Sequence, residues 1–226
     1  MDQPQLHPNG DSSLLIQWQA DTSLALVQVI MACCDAIKSA AIKGVVECVP
    51  AYSSIMVNFD LAITTFDELA PILAQYLLDD PPPAAAVLPI VEIPVCYDPS
   101  LAWDIIPVAS QLGVSIDTII DRHCAPTYHV YMLGFMPGFL YLGGMDPRIA
   151  CPRKMTPRKK IPAGAVGIAG QQTGIYPFES PGGWQIIGQT PVSLFDIART
   201  PPVLAAALQP VRFVPITALQ YHRLTQ

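Results

Sequence analysis

"YHVYMLGFMPGFLYLGG", residues 128–144, decides how the second half of the chain folds. Apolar residues alternate with Tyr and His up to Leu133, a Gly-Phe-Met-Pro-Gly break follows, and a second short apolar run closes on a glycine pair. No 3.6-residue period passes through it, so the pattern predicts strands joined by Pro-Gly turns. "AVGIAG" (165–170), "WQIIGQ" (184–189) and "VRFVPI" (211–216) repeat this grammar. Residues 127–226 are therefore expected to form an all-β domain, most simply a small barrel or sandwich.

Upstream the grammar changes. "SLLIQW" (13–18) predicts a strand, and "TSLALVQVIMACCDAIKSA" (22–40) predicts a helix capped by Asp21 or Thr22. "GVVECVP" (44–50) and "YSSIMVNF" (52–59) predict two strands about a Pro50-Ala51 turn. A second helix over 65–78 has Thr65 as cap and Glu68 completing a capping box, with Pro71 set to delay or kink it. Pro81 to Pro83 and Ala84 to Ala86 read as a surface crossing, and "VEIPVCY" (91–97) as the strand that closes the unit. That order, β-α-β-β-α-β, is the ferredoxin-like arrangement. Residues 1–97 are thus expected to be a small α/β domain. Residues 98–126, with Pro107 as an interruption and Ser115 as a cap, are expected to be a helical connection. The fold class is α+β.

Composition narrows the function. Apolar residues make up 51% and charged residues 13% of the 226, as expected of packed globular domains rather than long disordered tails. A formal charge of −6 argues against a general nucleic-acid binder. The amino-terminal residues lack a basic region followed by an apolar one, and neither long apolar run, 24–34 or 84–96, reaches the roughly 20 residues of a membrane span. A soluble, cytoplasmic protein without a membrane partner is the expectation. The six cysteines contain no C-x-x-C pair and are expected to be small buried hydrophobes in a reducing compartment, with no metal site.

Candidate site residues gather in the second half. Gly134, Pro137, Gly138, Gly143 and Gly144 bracket Phe135, Phe139 and Tyr141; they either turn two strands or let the backbone approach a ligand walled by the phenylalanines. "IYPFESPGGW" (175–184) is a shaped loop rather than a plain strand. With Gln172 and Thr173, its Tyr176, Ser180 and Trp184 offer amide, hydroxyl and ring groups for a small polar ring, while Glu179 serves the turn. Six of the chain's 12 Lys and Arg residues lie between Arg148 and Lys160. Arg158 is the first choice there for a carboxylate or phosphate, because its planar fork binds two oxygens at once; Lys159 and Lys160 are expected to face solvent. His123 falls at a predicted helix end, where it caps or acts as an acid–base group. No G-x-x-x-x-G-K-[ST] phosphate loop is present.

"GFMPGFLYLGG" (134–144), "PRKMTPRKKIPAGAVGIAG" (152–170), "TGIYP" (173–177) and "SPGGWQIIGQTP" (180–191) together resemble the allophanate hydrolase subunit 1 or KipI family. The resemblance extends through "VPAYSSIMVNFD", "VEIPVCYD" and "HCAPTYHVYMLGF", nearly the whole chain. It implies a cyclophilin-like β-barrel after a small α/β domain, and it implies company. Family members include a component of bacterial 5-oxoprolinase, which opens 5-oxo-L-proline to glutamate with ATP. The implied partners are a homologous C-type subunit of the allophanate hydrolase subunit 2 or KipA kind and an A-type 5-oxoprolinase subunit. ATP is then bound in the assembled complex or by a partner. Inhibition of a sensor histidine kinase, and a place in a biotin-dependent carboxyltransferase, are the alternatives the family offers. It also carries a histidine before the 128–133 strand, which supports His123 as catalytic. Where members carry a glycine-rich acidic stretch, this chain departs with "DPSLAWDIIPVAS" (98–110), in which Asp104 is the counterpart of an acidic residue.

Overall fold

The computed structural model describes residues 3–78, 80 and 88–225, and the chain divides into two compact units, Met1–Val87 and Leu88–Gln226. The expected crossing at 81–86 lies outside the described residues.

The first unit is built from β1 (Gln5–Pro8), β2 (Ser13–Gln17), α1 (Leu24–Ser39), β3 (Val45–Pro50), β4 (Ser54–Phe59) and α2 (Phe66–Leu73). Its sheet is antiparallel in the order β1-β2-β4-β3. Leu14 and Ile16 of β2 face Val57 and Ile55 of β4, and these alternate positions are buried. Against them α1 buries Leu26, Val29, Ile30, Cys33 and Ile37, a helical stripe whose large members contribute about 1.5–3 kcal/mol each. Ser23, rather than Asp21 or Thr22, caps α1 by accepting the Leu26 N–H at 3.2 Å. The Thr65–Glu68 capping box forms; α2 starts at Phe66 with Pro71 inside it, and after Leu73 the chain tightens into a 3-10 turn.

The second unit contains β5 (Val91–Cys96), α3 (Ile105–Leu112), α4 (Ile116–Cys124), β6 (Tyr128–Leu133), β7 (Leu140–Gly143), β8 (Arg158–Ile161), β9 (Ala165–Ala169), β10 (Gln172–Ile175), β11 (Ser180–Gly182), β12 (Gln185–Gln189), β13 (Pro210–Ile216) and α5 (Ala218–Leu224). Seven strands close a barrel in the order β10-β7-β6-β13-β5-β12-β9, and β8 with β11 forms a separate two-stranded ribbon. Several expectations are corrected here. The 91–96 strand does not close the first unit: it pairs in parallel with β13, Val91 opposite Val211 through Cys96 opposite Ile216. In the first sheet the amino-terminal β1 lies beside β2, at the edge where the ferredoxin-like order would put a closing strand. The division therefore falls at 87/88 rather than at 97. Residues 98–126 are helical, as expected, but they pack into the barrel rather than only connecting to it. Ile105, Val108, Ala109 and Ile119 belong to the same buried cluster as Val95, Val130, Ile168 and Phe213 of the barrel. Pro107 does not interrupt α3, because it occupies the first turn, where no intrahelical N–H bond is lost.

No described helix is long and apolar enough to cross a membrane. All six cysteines are free, and all but Cys124 are buried.

Candidate functional site

A cavity of about 360 Å³ opens in the second unit, lined by Phe135, Phe139, Tyr141, Tyr176, Trp184 and Arg153, with Pro157 and the Pro181–Gly183 backbone at its edges. Its floor is Phe139, 1% exposed, whose ring lies 4.5 Å from Tyr141, 5.1 Å from Tyr176 and 5.6 Å from Trp184. These tilted and edge-on contacts are the favoured aromatic geometries. Phe135 closes one side from a left-handed backbone, φ 66°, with its ring edge-on to Phe139 at 5.6 Å and its residue surface 62% exposed. Such a conformation in a non-glycine residue stores strain and is characteristic of ligand clamps. Glycine is required beside it: Gly138 has φ 82°, and an added Cβ would meet Phe195 at 2.7 Å. At the opposite wall a Cβ on Gly182 would meet the Tyr176 hydroxyl at 2.5 Å.

Behind the wall lies an ionic anchor. The Asp104 carboxylate, with 2% of its side chain exposed, accepts from Arg158 Nη1 at 2.7 Å and Nη2 at 2.6 Å, from Lys154 Nζ at 3.0 Å and from the Ile186 N–H at 2.7 Å. Burial alone would raise this carboxyl; the bonds from Arg158, Ile186 and Lys154 outweigh it and hold the group below the ordinary carboxylate range. The Arg158 guanidinium also lies over the Trp103 ring at 5.4 Å. Arg158 is thus not placed as a free anion receptor. With Lys154 it fixes the 153–158 segment, whose Lys154 N–H also bonds Gly183 O at 2.8 Å, and so holds Arg153 and Pro157 at the cavity.

His123 lies in the barrel interior, fully buried and stacked on Phe213 at 4.4 Å. Thr173 donates to Gly167 O at 3.0 Å, so it accepts from His123 Nε2–H at 2.9 Å. That leaves Nδ1 to accept the Tyr97 hydroxyl proton at 2.7 Å. Both ring nitrogens are satisfied, and burial pushes the imidazole down to about 3, so it is neutral at physiological pH. His123 does lie in the last turn of α4, as expected, but the neutral, sealed ring brings no charge to the helix end and is not open to a ligand. The depressed value has a sign. Below about pH 6.5 the unfolded chain binds a proton that the folded one refuses, so stability is lost as pH falls. Between pH 6.5 and 4.5 the unfolding free energy is expected to drop by roughly 1.4 kcal/mol per unit, and His123→Gln should flatten that slope in denaturant titrations. Half-buried His129, also pushed down by burial, adds a smaller part.

The remaining candidates scatter. Thr173 belongs to the His123 network, and half-buried Gln172 lies on β10 opposite Ala169. Ser180 sits on β11 next to the lining Pro181, its hydroxyl buried and unpartnered among the described residues. Glu179 makes an exposed pair with Lys160 at 2.8 Å, a solvent-screened contact that serves the surface rather than the cavity. Phe135, Phe139, Tyr176 and Trp184 do converge on one cavity. Asp104 as the anchor and Arg153 as the cavity's cation are what the sequence left unassigned. The sequence signalled only that a basic cluster was present; which of its cations an acid neutralises is set by contacts made on folding.

A family model for the carboxyltransferase domain, subdomain C and D, matches residues 4–205. The B subunit of 5-oxoprolinase from Bacillus subtilis (strain 168) is 39% identical over 228 residues, covering 96% of this chain and 95% of that one. A conserved uncharacterized protein from Pyrococcus horikoshii of known structure is 39% identical, with coverage of 96% and 100% and a TM-score of 0.57. The crystal structure of TTHA0988 is 34% identical with a TM-score of 0.80; the match covers 92% of this chain and 40% of that longer one. On these matches the chain belongs to the carboxyltransferase domain, subdomain C and D, family, together with the B subunit of Bacillus subtilis 5-oxoprolinase.

Proposed function

We propose that the chain is the B subunit of an ATP-dependent 5-oxoprolinase, which opens 5-oxo-L-proline to L-glutamate only in the company of partner subunits. The observation that carries this reading is the end-to-end match, 96% of this chain against 95% of its Bacillus subtilis relative. The partners are a homologous C-type subunit and an A-type subunit, assembled in the cytoplasm, and the cyclophilin-like barrel of this chain bears its share of the site. An unactivated lactam resists water, and ATP supplies the activation. The nucleotide does not fit the cavity described here, whose polar lining is one guanidinium and two phenols rather than a triphosphate cradle, so it is assigned to a partner. The part of this chain is to seat the ring against aromatic walls and exclude water from it.

Affinity capture of the chain from its native host, followed by an assay for ATP-dependent glutamate release, tests the reading. Two co-purifying subunits with glutamate release are expected. A captured histidine kinase without turnover would replace it with the inhibitor reading, and a biotin-bearing partner with the carboxyltransferase reading, with which the family description is consistent.

A further inference from the structure

Arg148 is held by Asp146 at 2.6 Å, Lys160 by Glu179, and both Lys154 and Arg158 by Asp104. Arg153 has no carboxylate partner among the described residues, and it lines the cavity with its guanidinium 5.9 Å from the centre of the Trp184 ring. It also faces the two phenols of the cavity. Burial raises Tyr141 and Tyr176, the latter to about 12, while the positive charge of Arg153 pulls both back. Both phenols therefore stay neutral and keep a hydroxyl proton at physiological pH.

The cavity thus has an apolar aromatic floor and, at one side, an uncompensated cation flanked by neutral hydroxyls. A phosphorylated or multiply charged ligand would meet too little positive charge here, and a wholly apolar one would make no use of the guanidinium. We infer that Arg153 is a specificity-determining residue, binding the single carboxylate of a small cyclic acid whose ring rests on Phe139, Tyr176 and Trp184. The inference rests on the 5-oxoprolinase reading and sharpens it, since 5-oxo-L-proline is such an acid. It also moves anion recognition from Arg158 to Arg153, because Asp104 already occupies the Arg158 fork.

Ligand-observed NMR titration of the isolated full chain with 5-oxo-L-proline, and with 2-pyrrolidinone, which keeps the lactam and lacks the carboxylate, tests this. Saturable binding of 5-oxo-L-proline is expected, weakened about 10- to 100-fold by Arg153→Gln, as for loss of a hydrogen bond to a charged group. The wild-type chain should bind 2-pyrrolidinone no better than the variant binds the acid. Arg153 is exposed, so an unchanged melting temperature shows that the variant folds. Absence of saturable binding to the wild type, an unchanged Kd in the variant, or equal binding of 2-pyrrolidinone would each overturn the inference. Turnover by the assembled wild-type complex reports separately on the parent reading: turnover with a failed titration removes Arg153 alone, whereas no turnover removes the 5-oxoprolinase assignment itself.

Discussion

Asp104→Ala should destabilise the second unit by about 3–5 kcal/mol, the cost of removing one partner from a buried ion pair and stranding the others. The carboxylate holds both terminal nitrogens of Arg158, the Lys154 ammonium and the Ile186 N–H, and alanine offers none of them an acceptor. Denaturant unfolding in a Trp18→Phe background, read from Trp103 and Trp184, reports on this unit alone. Arg158→Leu combined with Asp104→Ala should recover part of the loss, because it removes one of the stranded charges; the double-mutant cycle then gives the coupling. A loss below about 1 kcal/mol for Asp104→Ala would show that water replaces the carboxylate and that the anchor does not set the 153–158 segment.

Phe139→Ala should cost a comparable amount, about 3–5 kcal/mol, as for other large-to-small changes in a packed core. The ring is buried, and it touches Phe135, Tyr141, Tyr176 and Trp184, so no single neighbour can fill the void. The same change removes the cavity floor, and Trp184 emission should shift toward that of a water-exposed indole. Unfolding curves and emission spectra of the folded variant check both parts. A variant within about 1 kcal/mol of wild type, with unshifted emission, would mean that the aromatic cluster collapses around the gap and is not the rigid wall described.

Local signals in the sequence were dependable where chemistry acts over a few residues. The Thr65–Glu68 box and the Ser115 cap form as their spacing predicts, and the Pro-Gly punctuation after Thr127 marks barrel strands. Strand pairing was less legible. The pattern of "VEIPVC" establishes a strand but not its neighbour, and the partner of Val91 is Val211, far along the chain. In β1, "QLHP" offers one apolar residue and a proline, too little to announce an edge strand that completes a sheet. At the site, residue type alone ranked Arg158 above Arg153. What reverses the order is a buried carboxylate about fifty positions upstream, whose contacts exist only after folding. His123 does lie in the last turn of a helix, as its position predicts, but its surroundings were not legible. A helix end usually meets water, but this one runs into the barrel interior, where Tyr97 and Thr173 satisfy the ring.

The most direct test of the central claim is reconstitution of 5-oxo-L-proline hydrolysis from purified subunits, with and without this chain. ATP-dependent glutamate release that requires the chain, and that is absent when it is left out, is the predicted result. Equal release without it, or none from the full set of subunits, would contradict the account.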